Sequence, residues 1–411
     1  MNTTNSKTGL NIYSINTRLS PQNPIVCFPI INYAVIGLVL LLCLSCTNTA
    51  KKGKDIQKIN IIDNLSNNQA IKLSTIASGI EYVALETNGE SLLPGRITCY
   101  SSSDHIVVFG LRMCYVFDRK KGNFVRQIGS RGQGTGEYLF PYSRFWDAEN
   151  EQVCFLGNGC YLFHNIDGTL SHQTIPFKPS MSQFVQYEDT YVGYISNADS
   201  YATIRIAFFD KKGVLVDSIP NYRSWKRTVT GFGGSGDTDN WVYVFDKNMY
   251  YKDLFCDTLY QIKDFKLHPR YVFNTGGLAV PYELQEGGRF DQFGNGSDKY
   301  EKYMNITKIL EDNRYMYIAF DFKKNDYKFV YDKKEGNQMT IPLHGFENDL
   351  DGGLPFWPEQ MISGNEMMCS FTAEQLLKLD KSKITNEKLK NLLNNLKEDD
   401  NPVVAIVTLK E

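Results

Sequence analysis

No two of the six cysteines beyond residue 46 stand in a CxxC pair, and none of the five histidines has a partner at ligand spacing. A zinc site is therefore not written into the sequence. Positive charge is not in excess either: 44 Lys and Arg against 46 Asp and Glu leave a net charge of -2, which gives no reason to propose a nucleic-acid partner. No nucleophile has a base at a telling spacing, and no pair of carboxylates is set for acid-base work. His105, His164, His172, His268 and His344 are each solitary, which reads as structural. The Gly-rich run IGSRGQGTGEY, with Gly129, Gly132, Gly134 and Gly136, lacks the Lys-Ser/Thr ending of a phosphate loop and the third Gly of a dinucleotide fingerprint. It reads as a connection, and GFGGSGD at 231 to 237 reads as a loop. No cofactor is predicted, although a site assembled only in three dimensions stays open.

What is abundant points to β-structure. Aromatic residues make up 13% of the chain, with 25 Tyr, 25 Phe and 32 Gly. That mixture suits a turn-rich all-β protein. Short runs such as YVAL (82 to 85), HIVVFG (105 to 110) and QVCFLG (152 to 157) read as strands bounded by Gly, Asn or Asp. A phrase of strand, Asp or Asn, Gly turn and strand recurs as YVFDRKKGNFVRQIG, LFHNIDGTLSHQTI, IAFFDKKGVLVDSI and YKFVYDKKEGNQMTI. Gly122, Gly168 and Gly213 of the first three are about 45 residues apart, the period of a four-stranded propeller blade. Each phrase is expected to be the outer hairpin of a blade. Its Gly takes a left-handed turn conformation, while Asp118, Asp167 and Asp210 cap the turn backbone.

Length alone suggests two or three domains at roughly 150 residues each, but all-β folds run larger. The strand pair spanning Tyr260 to Phe273 adds a blade without a Gly turn. Residues 276 to 300 read as a loop insertion or short helix. Thr372–Leu379 and Ile384–Leu396 have helical composition, and PVVAIVTL after them is a strand again. The YVAL and VVAIVTL strands are expected to share one blade and close the ring, giving six blades. The predicted fold is thus an all-β, six-bladed propeller over 70–411, closed by N- and C-terminal strands, with a short C-terminal helical insertion.

Residues 1–45 form the targeting segment. Tyr33 to Leu44 is apolar for about a dozen residues, short of the ~20 a spanning helix needs and suited to a signal peptide. Ser45 and Cys46 follow, and this boundary resembles the bacterial lipobox, with Cys43 where Leu is usual. The competing reading is a transmembrane anchor, which the basic Lys51, Lys52 and Lys54 would favour by the positive-inside rule. Residues 46–69, polar and rich in Asn, Lys and Ser, read as a flexible tether. The six cysteines beyond the leader, Cys99, Cys114, Cys154, Cys160, Cys256 and Cys369, are even in number and permit disulfides. A core role as free thiols is the preferred reading.

The order of IKLSTIASGIEYVALET, FDRKKGNFVRQIGSRGQGTGEY, DTLYQIKDFKLHPRYVF and DDNPVVAIVTLK resembles the six-bladed β-propeller lipoproteins of Bacteroidetes and, more loosely, NHL and TolB-like propellers. The resemblance implies a lipid-anchored protein of the bacterial cell envelope. The basic stretch after Cys46 implies that it faces the periplasm.

For ligands, Arg144 and Trp146 beside Phe145, and Arg223 and Trp225 beside Tyr222, combine planar cations with aromatic faces suited to a sugar, an anion or a peptide. The alternative is that these aromatics pack between blades. The expected activity is that of a monomeric module binding a protein, peptide or glycan. A lactonase- or lyase-like propeller enzyme with a metal in the central channel is the competing class.

Replacing Cys46→Ala is expected to abolish incorporation of a radiolabelled fatty acid and to release the protein from the membrane fraction. Labelling that persists in the variant would place the lipid on another cysteine.

Overall fold

The computed structural model describes residues 56–110, 112–134, 136–138, 144–156, 160–179, 181, 183–195, 202–222, 240–287 and 301–410. The apolar leader, Cys46, Arg223 and Trp225 lie outside the described residues.

Six small antiparallel sheets form a six-bladed β-propeller. Blade 1 runs β3 (Thr98–Ser101), β4 (His105–Phe109), β5 (Cys114–Asp118) and β6 (Phe124–Gln127), counted from the axis outwards. Blade 2 is β7 (Arg144–Asp147), β8 (Gln152–Leu156), β9 (Tyr161–Asn165) and β10 (Leu170–Gln173). Blade 3 is β11 (Gln183–Tyr187), β12 (Thr190–Tyr194), β13 (Ile204–Asp210) and β14 (Leu215–Pro220). Blade 4 holds β15 (Asn240–Phe245), β16 (Asn248–Asp253), β17 (Thr258–Lys263) and β18 (Lys266–Phe273), with β1 (Gln57–Ile59) added in parallel outside β18. Blade 5 is β19 (Asn305–Glu311), β20 (Tyr315–Phe322), β21 (Asn325–Asp332) and β22 (Gln338–Ile341). Blade 6 combines β23 (Gln360–Met361), β24 (Glu366–Phe371) and β25 (Val403–Leu409) with β2 (Ala77–Ala84) as its outermost strand.

The expected closure is present, with Tyr82 opposite Ala405 and Val83 opposite Val404. The predicted helices, α1 (Ala373–Leu377) and α2 (Glu387–Asn395), lie between β24 and β25. Thr372 caps α1 in a capping box, and the Asn386 side chain accepts from the backbone N–H groups of Lys388 and Leu389. Among the described residues no helix is long and apolar enough to cross a membrane.

Middle strands are apolar on both faces because each lies between two neighbouring blades. In β4, Ile106 and Val108 enter the seam with blade 6, whereas Val107 and Phe109 enter the seam with blade 2. Outermost strands have lost that cover, and β10 is exposed throughout.

The recurring glycines have a second reason beyond their turns. Gly122, Gly168, Gly213 and Gly336 all have positive φ, as the phrase predicts. A Cβ on Gly122 would also stand 1.9 Å from the carbonyl oxygen of Ala84, at the end of the preceding blade's outer strand. At Gly213 the obstacle is the Ile175 carbonyl at 3.0 Å, again just past the preceding blade's outer strand. The turn between β17 and β18 has no glycine and places Asp264 and Phe265 at positive φ instead. The aspartates cap as expected: Asp210 accepts from the N–H groups of Lys212 and Val214, and Asp118 from that of Lys121.

The Gly-rich run joins blade 1 to blade 2. Gly129 has φ +63, and a Cβ there would meet the Tyr138 ring at 2.9 Å, so the run serves a packed connection. The six described cysteines are free, and four of them are buried.

Residues 56–69, expected to belong to a flexible tether, instead pack on the propeller. Residues 56–69 are polar in composition, but Ile59 and Ile61 are wholly buried in the seam between blades 4 and 5. From β1 this strap crosses blade 5, where the Asn60 N–H donates to Gln338 and the Thr340 hydroxyl to the Asn64 carbonyl. It then meets the connection from blade 5 to blade 6, where the Leu73 N–H donates to the Glu347 carbonyl at 2.7 Å. Ile59→Ala is expected to cost roughly 3 kcal/mol, read as a lower urea midpoint with an unchanged slope. A midpoint equal to that of the parent would mean that the strap is only tether.

Candidate functional site

The innermost strands β3, β7, β11, β15, β19 and β23 surround the channel, as in any propeller. One end of the channel is bounded by tight turns from first to second strand, such as Asp246–Lys247 and Asp312–Arg314. The other end carries the long connections from blade to blade, including 128–143, 174–182, 221–239, 274–304 and 342–359, and the helical insertion. We call these ends the turn face and the loop face.

At the turn face the ends of β15, β19 and β23 enclose a cavity of about 550 Å³. Its wall joins the Tyr243 and Phe245 rings, Ile309 and Met361 to the polar groups of Gln360 and Ser363. Beneath it, Glu311 is 4% exposed and fully bonded. Its Oε1 accepts from the Tyr243 hydroxyl at 2.9 Å and from Arg270 at 2.6 Å, while Oε2 accepts from Lys333 at 3.0 Å. Arg270 lies 4.2 Å over the Tyr250 ring, and the Lys333 ammonium 4.3 Å over Phe245. Burial holds the Lys333 ammonium below its usual range, against the pull of Glu311. Burial likewise pushes the Tyr243 hydroxyl far up, so it stays protonated and donates.

Arg144 and Trp146 begin the inner strand of blade 2 at the loop face. Arg144 is half-buried, donates to the Thr98 hydroxyl at 2.9 Å and lies 5.2 Å over Phe109. Trp146, on the same side of β7, is 9% exposed and packs with Val153 and Phe155 in the seam between blades 1 and 2. The packing alternative describes Trp146, and only Arg144 of the pair is placed to meet a solute. Tyr222 is 83% exposed and is the last described residue before 223–239, which contains Arg223 and Trp225.

The model of a protein family described only as a domain of unknown function, DUF4934, matches residues 56–408. This chain belongs to the DUF4934 family. The matched span begins at the strap and ends within β25, so the family unit is the whole propeller. No curated protein matches the sequence. A crystal structure from Bacteroides fragilis, described as a predicted exported protein, shares the fold with a TM-score of 0.67 at 20% identity, over 87% of this chain and 100% of that one. A DUF4221 protein from Bacteroides vulgatus matches with a TM-score of 0.48 at 10% identity, over 81% of this chain and 97% of that one. That likeness is too distant to carry argument.

Among the described residues of this DUF4934 chain, no three His, Cys, Asp or Glu side chains gather as metal ligands do. The Asp321 and Asp326 carboxyls face each other across β20 and β21, and burial together with the hydrogen bond to Asp326 pushes the Asp321 pKa up to about 6. Sequence reasoning missed the Glu311 cluster because its members stand at 243, 270, 311 and 333, on three strands and one turn of two blades. The one available signal was the pair of charges Lys308 and Glu311 in the NITKILE strand.

Glu311→Gln is expected to destabilise the fold by ~3 kcal/mol, because it leaves two buried cations without their carboxylate. Adding Lys333→Met should recover part of that loss in urea unfolding. No recovery would show that the charges are not coupled.

Proposed function

We propose that this chain is a lipid-anchored envelope protein whose propeller binds a ligand at the turn-face cavity. The observation that carries this reading is the cavity itself. Its volume of about 550 Å³ lies in the range that holds small ligands, and aromatic and aliphatic walls meet a few polar groups there. Ligands of that description are a short peptide or a glycan unit. Two rings, Tyr243 and Phe245, stand in the wall, the second with the Lys333 ammonium already against it, and the carboxamide of Gln360 and the hydroxyl of Ser363 would orient the guest.

The address rests on three supports. The Ser45-Cys46 boundary resembles a lipobox, the NHL- and TolB-like phrases resemble those of Bacteroidetes envelope lipoproteins, and the Bacteroides fragilis relative in fold is described as exported. The basic residues after Cys46 favour the periplasmic face.

Ser363 is exposed at the rim, so Ser363→Trp would fill the cavity without entering a seam. In a calorimetric panel of cell-wall peptides and oligosaccharides, the ligand that binds the parent is expected to lose at least tenfold in affinity for this variant, with Tm unchanged. Equal affinity for both proteins would sink the cavity assignment. A tightly held divalent ion in elemental analysis would move the reading towards a propeller enzyme.

A further inference from the structure

The turn-face cavity is lined by strand edges as well as by side chains. β15, β19 and β23 each end their sheet, so among the described residues no strand pairs with them on the channel side. In an antiparallel pair, alternate residues direct both backbone groups to the partner strand, and those between direct them away. The Asp312 N–H donates to the Tyr315 carbonyl at 3.0 Å, which fixes the phase of β19. Leu310, opposite Tyr317, is then bonded to β20, whereas Ile309 and Glu311 turn their N–H and C=O groups to the channel. The hairpin of β15 and β16 fixes its own phase. Asp246 and Lys247 have φ +46 and +54, a two-residue type I′ turn closed by the bonded pair Phe245 and Asn248. Val244, the next residue inwards, therefore also turns its backbone groups to the channel. Val244, Ile309 and Glu311 all line the cavity.

The sheet also accounts for the space. β23 has two residues, where the other five inner strands have four to seven. The cavity coincides with this short strand. A guest there must answer the backbone groups of Ile309 and Glu311, because covering them unbonded is costly. An aliphatic chain cannot do so. An extended peptide can, since its own alternate residues present one N–H and one C=O at the same repeat of about 6.8 Å. Its side chains would point by turns to the blade 4 side, with the Tyr243 and Phe245 rings, and to the blade 6 side, with Gln360 and Met361.

We propose that the turn-face cavity takes an extended peptide, added as a strand to the channel edge of β19 through the backbone of Ile309 and Glu311. This rests on the reading of the cavity as the binding site, and goes beyond it in choosing a peptide over a glycan. The fold already accepts an added strand on the outside of a blade, where β1 pairs with β18.

The test is isothermal titration of the purified full-length protein in detergent with capped hexapeptides in which valine, leucine or phenylalanine alternates with threonine. Cellohexaose and chitohexaose are titrated beside them. At least one peptide is expected to bind saturably, and neither sugar. That peptide is then made in two N-methylated forms, one methylated on its odd and one on its even residues. Only one of the two patterns blocks the amides that face β19, so one form should lose at least tenfold in affinity while the other stays within about threefold of the parent peptide. Ser363→Trp should cost the parent peptide at least tenfold at unchanged Tm. Equal affinity of the two methylated forms would overturn strand addition. Saturable binding of a sugar that Ser363→Trp abolishes, with no peptide bound, would overturn the peptide assignment and leave the cavity reading standing. Peptide binding that survives Ser363→Trp, or no saturable binding of any probe, would overturn both.

Discussion

Every middle strand in this ring serves two seams at once, and the rest of the architecture depends on that. Because side chains alternate across a strand, β25 sends Ala405 and Val407 towards blade 5 and Val404 and Ile406 towards blade 1. Apolar clusters of this kind occupy each of the six seams, so no blade is stable without both neighbours. A linear chain can meet that condition only if its ends are joined, which is why β2 is borrowed from the N-terminal side to complete blade 6. The same constraint explains why a one-residue slip between β2 and β25 would not be tolerated, since it would turn every buried group of that strand to the wrong seam.

Closure leaves the two ends of the ring under different demands. The turn face is built of tight hairpins, and some of these dock into the neighbouring blade through a glycine, as Gly122 does against Ala84. Insertions there would lift one blade from the next. The loop face lengthens in the helical insertion between β24 and β25. Polar groups near the channel follow the same division. At the turn face the buried charges of Glu311, Arg270 and Lys333 are matched bond for bond. At the loop face Lys308 donates to the Glu359 carbonyl and Arg144 to the Thr98 hydroxyl.

The parts of the fold that were legible in sequence are those governed by local repetition. Glycine turns at a fixed period, capped by aspartates, gave away the outer hairpins, and one apolar C-terminal strand after a helical stretch gave away the closure. The strap was not legible because its few apolar residues follow no strand or helix period, and the burial of Ile59 and Ile61 depends on β18 and β22, far away in the chain. Trp146 shows the converse limit. A tryptophan beside an arginine suits a ligand site, but strand alternation puts it on the side of β7 that faces blade 1. The Glu311 cluster had no local sequence pattern, since three strands and one turn of two blades supply it.

The strap also bears on how such a ring survives attachment. In a propeller closed by an N-terminal outer strand, a pull on the N-terminus would peel that strand from its blade one hydrogen bond at a time, and the ring would open. Here the chain ahead of β2 is first paired to β18 in blade 4, then bonded to Gln338 and Thr340 in blade 5, then to Glu347 in the connection from blade 5 to blade 6. A load applied at Ile56, as a lipid anchor at Cys46 would apply it, therefore meets β1 and the buried Ile59 and Ile61 before it reaches β2. Because β1 lies parallel to β18, a pull along the strand must break its ladder together rather than in sequence. The closing strand is thus separated from residue 56 by the strap's contacts with blades 4 and 5.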